Sequence, residues 1–258
     1  MLIASGNVDL AKLFNGIIKM SRDETKKHEF NRNDREFLHS DGWGIAYLDN
    51  KNNWIMHKST GPIFMDPKIK QLQKVKTRLA IIHARRATQG TNKPENTHPF
   101  IYNDYKRGKF VFCHNGSMKG DIHFSAKYQL QGKTDSEKLF YAVLTELENN
   151  DPFTSMKNVL RRNNDCKGTN LIFVTPNKSY VTVKENLRPK YYQMQLGTSK
   201  DLVVVSSEKL TSLSDLRWQA LNPGSFVEIE NKKADYKLKK NIKFTPSDKI
   251  KSLGSSPD

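Results

Sequence analysis

The 258-residue chain is short of acidic residues, of cysteine and of long apolar runs, and each shortage closes off a class of protein. Its two cysteines, Cys113 and Cys166, fit a reducing compartment and give neither a disulfide framework nor a zinc spacing. No stretch approaches the ~18 consecutive apolar residues that suggest a membrane span. The first residues lack the basic-then-apolar layout of a secretory signal, so the expected compartment is the cytoplasm. Aspartate and glutamate number 27 against 43 lysines and arginines, a formal net charge of +16. Such an excess suits a nucleic-acid binder, because lysine and arginine neutralise phosphates and release counterions. Here the basic residues are scattered, with a modest concentration in residues 232–251, and no RNA- or DNA-binding signature accompanies them. The reading is a lysine-rich surface that stays soluble and attracts anionic metabolites, with nucleic acid and membrane not expected as partners.

What remains is patterned as a strand-rich α+β domain. Met1-Leu2-Ile3-Ala4 reads as a strand, and Asn7 or Asp9 can cap a helix with Leu10, Leu13, Phe14, Ile17 and Ile18 on one face. Residues 21–40 are charged and turn-rich, a candidate lid. Asp41–Leu48 is a glycine-rich approach to a strand that returns as Trp54–Lys58. Asp66-Pro67 starts a helix striped by Ile69, Leu72 and Val75. A helix over Thr134–Asn149 opens on a capping box of Thr134 and Glu137, and a shorter one covers Phe153–Arg162. The last third is mostly strand: Thr169–Thr175 pairing with Ser179–Lys184, then Leu202–Ser206 and Ser225–Glu230. With no repeat and no linker, one domain over residues 1–243 and a flexible tail over residues 244–258 are expected.

The polar chemistry concentrates between Leu79 and Glu137. An apolar run, Leu79–Ile82, breaks into His83-Ala84-Arg85-Arg86-Ala87-Thr88-Gln89-Gly90, and a loop then reaches Asn96-Thr97-His98-Pro99-Phe100. Phe110–Cys113 delivers His114-Asn115-Gly116, and Thr134-Asp135-Ser136-Glu137 heads a helix. Singly, these are a solvated basic pair, a stiff turn, an Asn-Gly turn and a helix-dipole aspartate. Together they offer an arginine able to clamp a carboxylate and an aspartate able to take an ammonium. They add a two-donor oxyanion hole made of the Asn115 amide and the Gly116 N–H. That set holds an α-amino acid by its head and polarises a carbonyl at its tail, and glutamine fits it.

These four motifs, in this order, resemble the series found in class II glutamine amidotransferases, the N-terminal-nucleophile glutaminase domains. Asp41–Leu48 and Val203-Val204-Val205-Ser206-Ser207-Glu208 resemble the stand-alone branch of that family, and the likeness runs from about Met1 to Glu230. It implies an αββα fold, two stacked antiparallel sheets between helical layers, and hydrolysis of a γ-glutamyl amide without metal or organic cofactor. By the same likeness Arg85 would hold the substrate α-carboxylate and Asp135 its α-amino group. Asn115 and Gly116 would form the oxyanion hole, with Thr88, His98 and His114 shaping the pocket. Many members carry an aromatic after the clamp arginine and a histidine after the threonine; this chain has Arg86 and Gln89 there. The implied partners are glutamine or another γ-glutamyl compound, and an ammonia-accepting or peptidase partner protein.

The family's nucleophile is a cysteine at the mature N-terminus, whose α-amino group shuttles the proton. This chain opens Met1-Leu2-Ile3-Ala4-Ser5-Gly6. Family members typically open Met-Cys-Arg and then an apolar strand, so Met1 corresponds to the position after Cys-Arg. The expectation is a native start a few codons upstream, and a chain that binds glutamine without hydrolysing it until that cysteine is supplied. The alternative is a lineage that lost its nucleophile and remains as a glutamine-binding or regulatory subunit. Cys113 is a poor substitute, since strand alternation points it away from His114 and it has no free α-amino group. Cys166 reads as a loop residue without a partner.

Overall fold

A computed structural model describes residues 1–25, 28–30, 37–184 and 186–245. The chain begins with β1 (Leu2–Asp9) and α1 (Leu10–Ser21), then runs through β2 (Trp43–Leu48), β3 (Trp54–Ser59), a single helical turn α2 (Ile69–Leu72) and β4 (Lys76–Ala84). β5 (Phe100–Asp104) and β6 (Gly108–Met118) form a hairpin ahead of the helices α3 (Asp135–Glu146) and α4 (Pro152–Arg162). The rest is strand: β7 (Cys166–Val174), β8 (Lys178–Val183), β9 (Met194–Thr198), β10 (Leu202–Ser206), β11 (Arg217–Leu221), β12 (Ser225–Glu230) and β13 (Tyr236–Lys239).

All the strand pairs described are antiparallel and fall into two sheets, ordered β11-β9-β10-β1-β4-β2-β3 and β13-β12-β8-β7-β6-β5. The period-2 alternation of apolar residues decides how they stack. In β1 and β4, Leu2, Ala4, Ala80 and Ile82 face α1, whereas Ile3, Leu79 and Ile81 face the other sheet. In β6 and β7, Phe112, Leu171 and Phe173 face α3 and α4, whereas Val111, Cys113 and Ile172 meet the first sheet. The result is the expected four-layer αββα sandwich, with three apolar layers between its four tiers.

Several local readings change. The Asn115-Gly116 turn is excluded: β6 runs straight through both residues to Met118, paired with β7. The helix begun at Asp66-Pro67 is one turn long, because Val75 must pass its carbonyl to the Leu10 N–H where β4 starts. Asp9, not Asn7, caps α1 by accepting from the Ala11 N–H at 2.9 Å. The capping box at α3 is only half made. Thr134 accepts from the Glu137 N–H at 3.2 Å, but the Glu137 carboxylate turns away to the Gln131 and Gly132 N–H groups at 2.7 and 2.8 Å. Glu137 is buried, so those bonds have no water to replace them. Charge-assisted bonds of this kind contribute about 1.5–3 kcal/mol each. Glu137→Ala is therefore expected to lower the unfolding free energy by about 2–4 kcal/mol, and Glu137→Gln by roughly half as much, read from urea denaturation. Phe244 and Thr245, which the sequence assigns to the tail, are buried, Thr245 beside Lys184. Residues 246–258 lie outside the described residues, as do residues 26–27 and 31–36 of the candidate lid.

Candidate active site

The ends of β1, β4 and β6 meet the start of α3 around one cavity of about 470 Å³, lined among others by Met1, Arg85, Asn115, Gly116 and Asp135. Thr88, His98 and His114 line it too, so all seven site residues expected from sequence come together. Each is brought by a different structural device.

Arg85 follows β4 and is pinned by its backbone: its N–H donates to the Gly42 carbonyl at 2.7 Å and its carbonyl accepts from the Asp41 N–H at 3.0 Å. Its guanidinium is buried and wrapped by its own loop. Nη1 donates to the Asp41 carbonyl and to Asn92 Oδ1, both at 3.1 Å; Nη2 donates to the carbonyls of Gln89 and Gly90 at 2.8 and 3.3 Å. Burial weighs against its charge, while the carboxylates of Asp41 and Asp135 support it. Gln89 donates from Nε2 to the Met118 carbonyl at 2.9 Å and so ties this loop to β6.

Asp135 sits at the first turn of α3, where the helix dipole favours a carboxylate. Its Oδ2 accepts from the Met118 N–H at 2.6 Å and its Oδ1 from the Ser136 N–H at 2.9 Å. That Met118 bond also orients β6. β5 pairs with β6 only as far as Phe112, so beyond it one edge of β6 is open. Met118 directs its N–H away from β7, and strand alternation gives Gly116 the same direction, into the open side. The Asn115 side chain lines the cavity with no hydrogen-bond partner among the described residues.

Three histidines form the cavity's inner wall. The rings of His83 and His98 stack at 4.3 Å between centroids, and His114 Nδ1 lies 2.9 Å from Ser136 Oγ. Nδ1 of His83, both ring nitrogens of His98 and Nε2 of His114 are buried without a partner. Burial, reinforced by the positive groups around them, holds His83 and His98 well below the usual histidine value. Burial also lowers His114, against the pull of Asp135. His39 is pushed down to about 4, chiefly by burial and next by the Met1 amino group.

Met1 is the fourth contributor. Its carbonyl accepts from the Ser207 N–H at 3.0 Å, extending the β1–β10 pairing by one residue, and its amino group donates to Ser207 Oγ at 3.2 Å. Burial brings that amino group down to about 6. Cys113 lies between the sheets, as alternation predicts, and burial pushes its thiol up to about 12. Cys166 is the first residue of β7 rather than a loop residue, with its sulfur 3.5 Å from Lys184 Nζ. Among the described residues, no group of three or more His, Cys, Asp and Glu is placed to hold a metal ion.

The profile described as "Glutamine amidotransferases class-II" matches residues 27–167, more than half of the chain and the part that holds all seven residues. The chain belongs to the class II glutamine amidotransferases. Over 119 residues it is 34% identical to YafJ of Escherichia coli strain K12, covering 45% of this chain and 46% of YafJ. The chain spans less than half the length of the first curated relatives it matches. Among solved structures, the glutamine phosphoribosylpyrophosphate amidotransferase of Bacillus subtilis aligns with a TM-score of 0.63 at 19% identity, over 93% of this chain and 48% of that one. A glutamine aminotransferase class-II domain protein from Silicibacter pomeroyi aligns with a TM-score of 0.61 at 18% identity, over 93% and 99%. At such identities these two show the fold alone, and they extend the likeness beyond the profile's limits to nearly the whole amidotransferase chain.

One part of the site was not read from sequence. His28, Phe30, Phe37 and Tyr191 form an aromatic wall along the cavity, with ring centroids 4.8–6.1 Å apart. Glu29 joins its two halves by accepting from the Lys190 and Tyr191 N–H groups, both at 2.9 Å. The only signal was a pair of phenylalanines in an otherwise charged stretch, and their partner tyrosine lies more than 150 residues away.

Proposed function

We propose that this amidotransferase hydrolyses a γ-glutamyl amide, most simply glutamine, to glutamate and ammonia. The observation that carries the reading is that the Met1 amino end opens into the cavity that also holds Arg85, Asn115, Gly116 and Asp135. A cysteine joined ahead of Met1 would enter that cavity beside the oxyanion donors. Arg85 takes the α-carboxylate, exchanging its bonds to the Gln89 and Gly90 carbonyls for two to the substrate. Asp135 takes the α-ammonium. The thiolate adds to the γ-carbonyl, whose oxygen gains charge facing the Asn115 amide and the Gly116 N–H. The cysteine's α-amino group carries the proton to the departing ammonia, and water releases glutamate from the thioester. The neutral histidines keep competing positive charge out of the pocket wall.

Its partner would be either a protein that accepts the ammonia or a peptidase, in the cytoplasm. Among the described residues no helix is long and apolar enough to cross a membrane.

A second reading has one observation in its favour. The described thiol nearest the site, Cys113, points between the sheets and holds its proton, which suits a glutamine-binding or regulatory subunit. Both readings require the clamp. Titration calorimetry is expected to show L-glutamine binding, weakened roughly hundredfold in Arg85→Ala by the loss of two charge-assisted bonds, about 3 kcal/mol. A chain that ignores glutamine but binds RNA with salt-steep affinity, unchanged by Arg85→Ala, would return the reading to nucleic acid.

A further inference from the structure

Glutamine leaves only ammonia, yet the cavity is of a size that holds larger ligands, and a second arginine stands on its edge. Arg86 is exposed, and its guanidinium carbon lies 3.8 Å over the centroid of the Phe37 ring. Phe37 is itself stacked on Phe30 at 4.9 Å and edge-on to Tyr191 at 5.5 Å. The backbone beneath Arg86 is fixed on both sides by Asp41, which donates its N–H to the Arg85 carbonyl and accepts from the Ala87 N–H at 2.8 Å. The Arg86 guanidinium is thereby placed over the Phe37 ring. It has no hydrogen-bond or ion-pair partner among the described residues. Asp23, which also lines the cavity, already accepts from the Phe37 N–H and faces His28. A planar fork of donors, held flat by an aromatic ring and unpaired, is suited to a carboxylate.

The direction of the bound substrate places that fork. Arg85 and Asp135 hold the amino-acid head, and Asn115 and Gly116 hold the carbonyl, so whatever is attached to the amide nitrogen must lead away from them. Beyond Met1 the cavity is bounded by His39 and Tyr191, whose Nε2 and Oη are 3.4 Å apart, and then by Phe37 and Arg86. We propose that Arg86 is a second anion site, for a carboxylate carried by the leaving amine, so that the substrate class is γ-glutamyl amino acids or short γ-glutamyl peptides rather than glutamine alone. This rests on the γ-glutamyl reading above and adds a specificity residue to it.

Binding tests it without any need for turnover. γ-L-Glutamyl-L-alanine and γ-L-glutamyl-ethylamide differ only in the carboxylate on the leaving amine. Calorimetry with the full chain is expected to show the alanine compound tighter by fivefold to tenfold, as suits one partly exposed ion pair of good geometry. In Arg86→Met, which keeps length and loses charge, the ratio is expected to fall to about one, and in Arg86→Lys to recover in part. Equal binding of the two compounds by the unaltered chain, or a ratio that survives in Arg86→Met, overturns the proposal. Binding of glutamine alone, with neither larger compound, also overturns it while leaving the γ-glutamyl reading standing. Failure of all three ligands removes both.

Discussion

Lowering the pH from 7 to 5 is expected to destabilise the folded protein. The source is the histidine wall. His83, His98 and His114 are buried, His39 is half-buried, and all four are lowered, so the folded protein takes up fewer protons than the unfolded chain, whose histidines lie near 6.5. The unfolded state then binds more protons, and stability falls as pH falls through 6.5, continuing for His39 down to about 4. A proton wholly excluded from the folded state between pH 7 and 5 amounts to at most about 2 kcal/mol. Urea denaturation at pH 7, 6 and 5 should show the unfolding free energy falling with pH, and falling less steeply in His39→Asn. A stability that is flat over this range contradicts neutral, buried rings.

Joining Met-Cys-Arg to Met1, with the initiator removed so that the cysteine carries a free amine, is expected to switch ammonia release on. The step should be large, because removing a nucleophile from a preorganised site lowers kcat by on the order of 10⁶ in a well-studied hydrolase. Under the proposed function the groups that would bind substrate are already in place: Arg85 and Asp135 are fixed by their hydrogen bonds, and one edge of β6 is open beside them. In that extended protein Asn115→Ala should lower kcat by about 10²–10³ through the lost oxyanion donor. Ammonia release by the chain beginning at Met1, abolished by Cys113→Ala, would instead make Cys113 the nucleophile.

The site motifs were legible because each lies within a few residues of a strand or helix end, where polar residues interrupt an apolar run. Strand alternation alone placed Cys113 opposite to His114, and the sheet interior agrees. The α1 cap and its buried stripe of Leu10, Leu13, Phe14 and Ile17 were equally local. β9, β11 and β13 were not visible, because Gly197 interrupts the first, Arg217 and Gln219 break the apolar run of the second, and four residues are too few to show a period. Glu137 deceived for a different reason. Its spacing from Thr134 matches a capping box, but two buried N–H groups in the preceding loop compete for its carboxylate and win. The aromatic wall was invisible because it is joined only through the tertiary structure, by Glu29 reaching the Tyr191 backbone.

Met1 bears on how the protein should be handled at the bench. Its side chain belongs to the layer between the sheets and its amino group faces Ser207 inside the cavity. An affinity tag fused there would have to leave through the space meant for ligand, and could be mistaken for a weak competitive inhibitor. Placed after the last residue, the same tag would leave the cavity beside Met1 open.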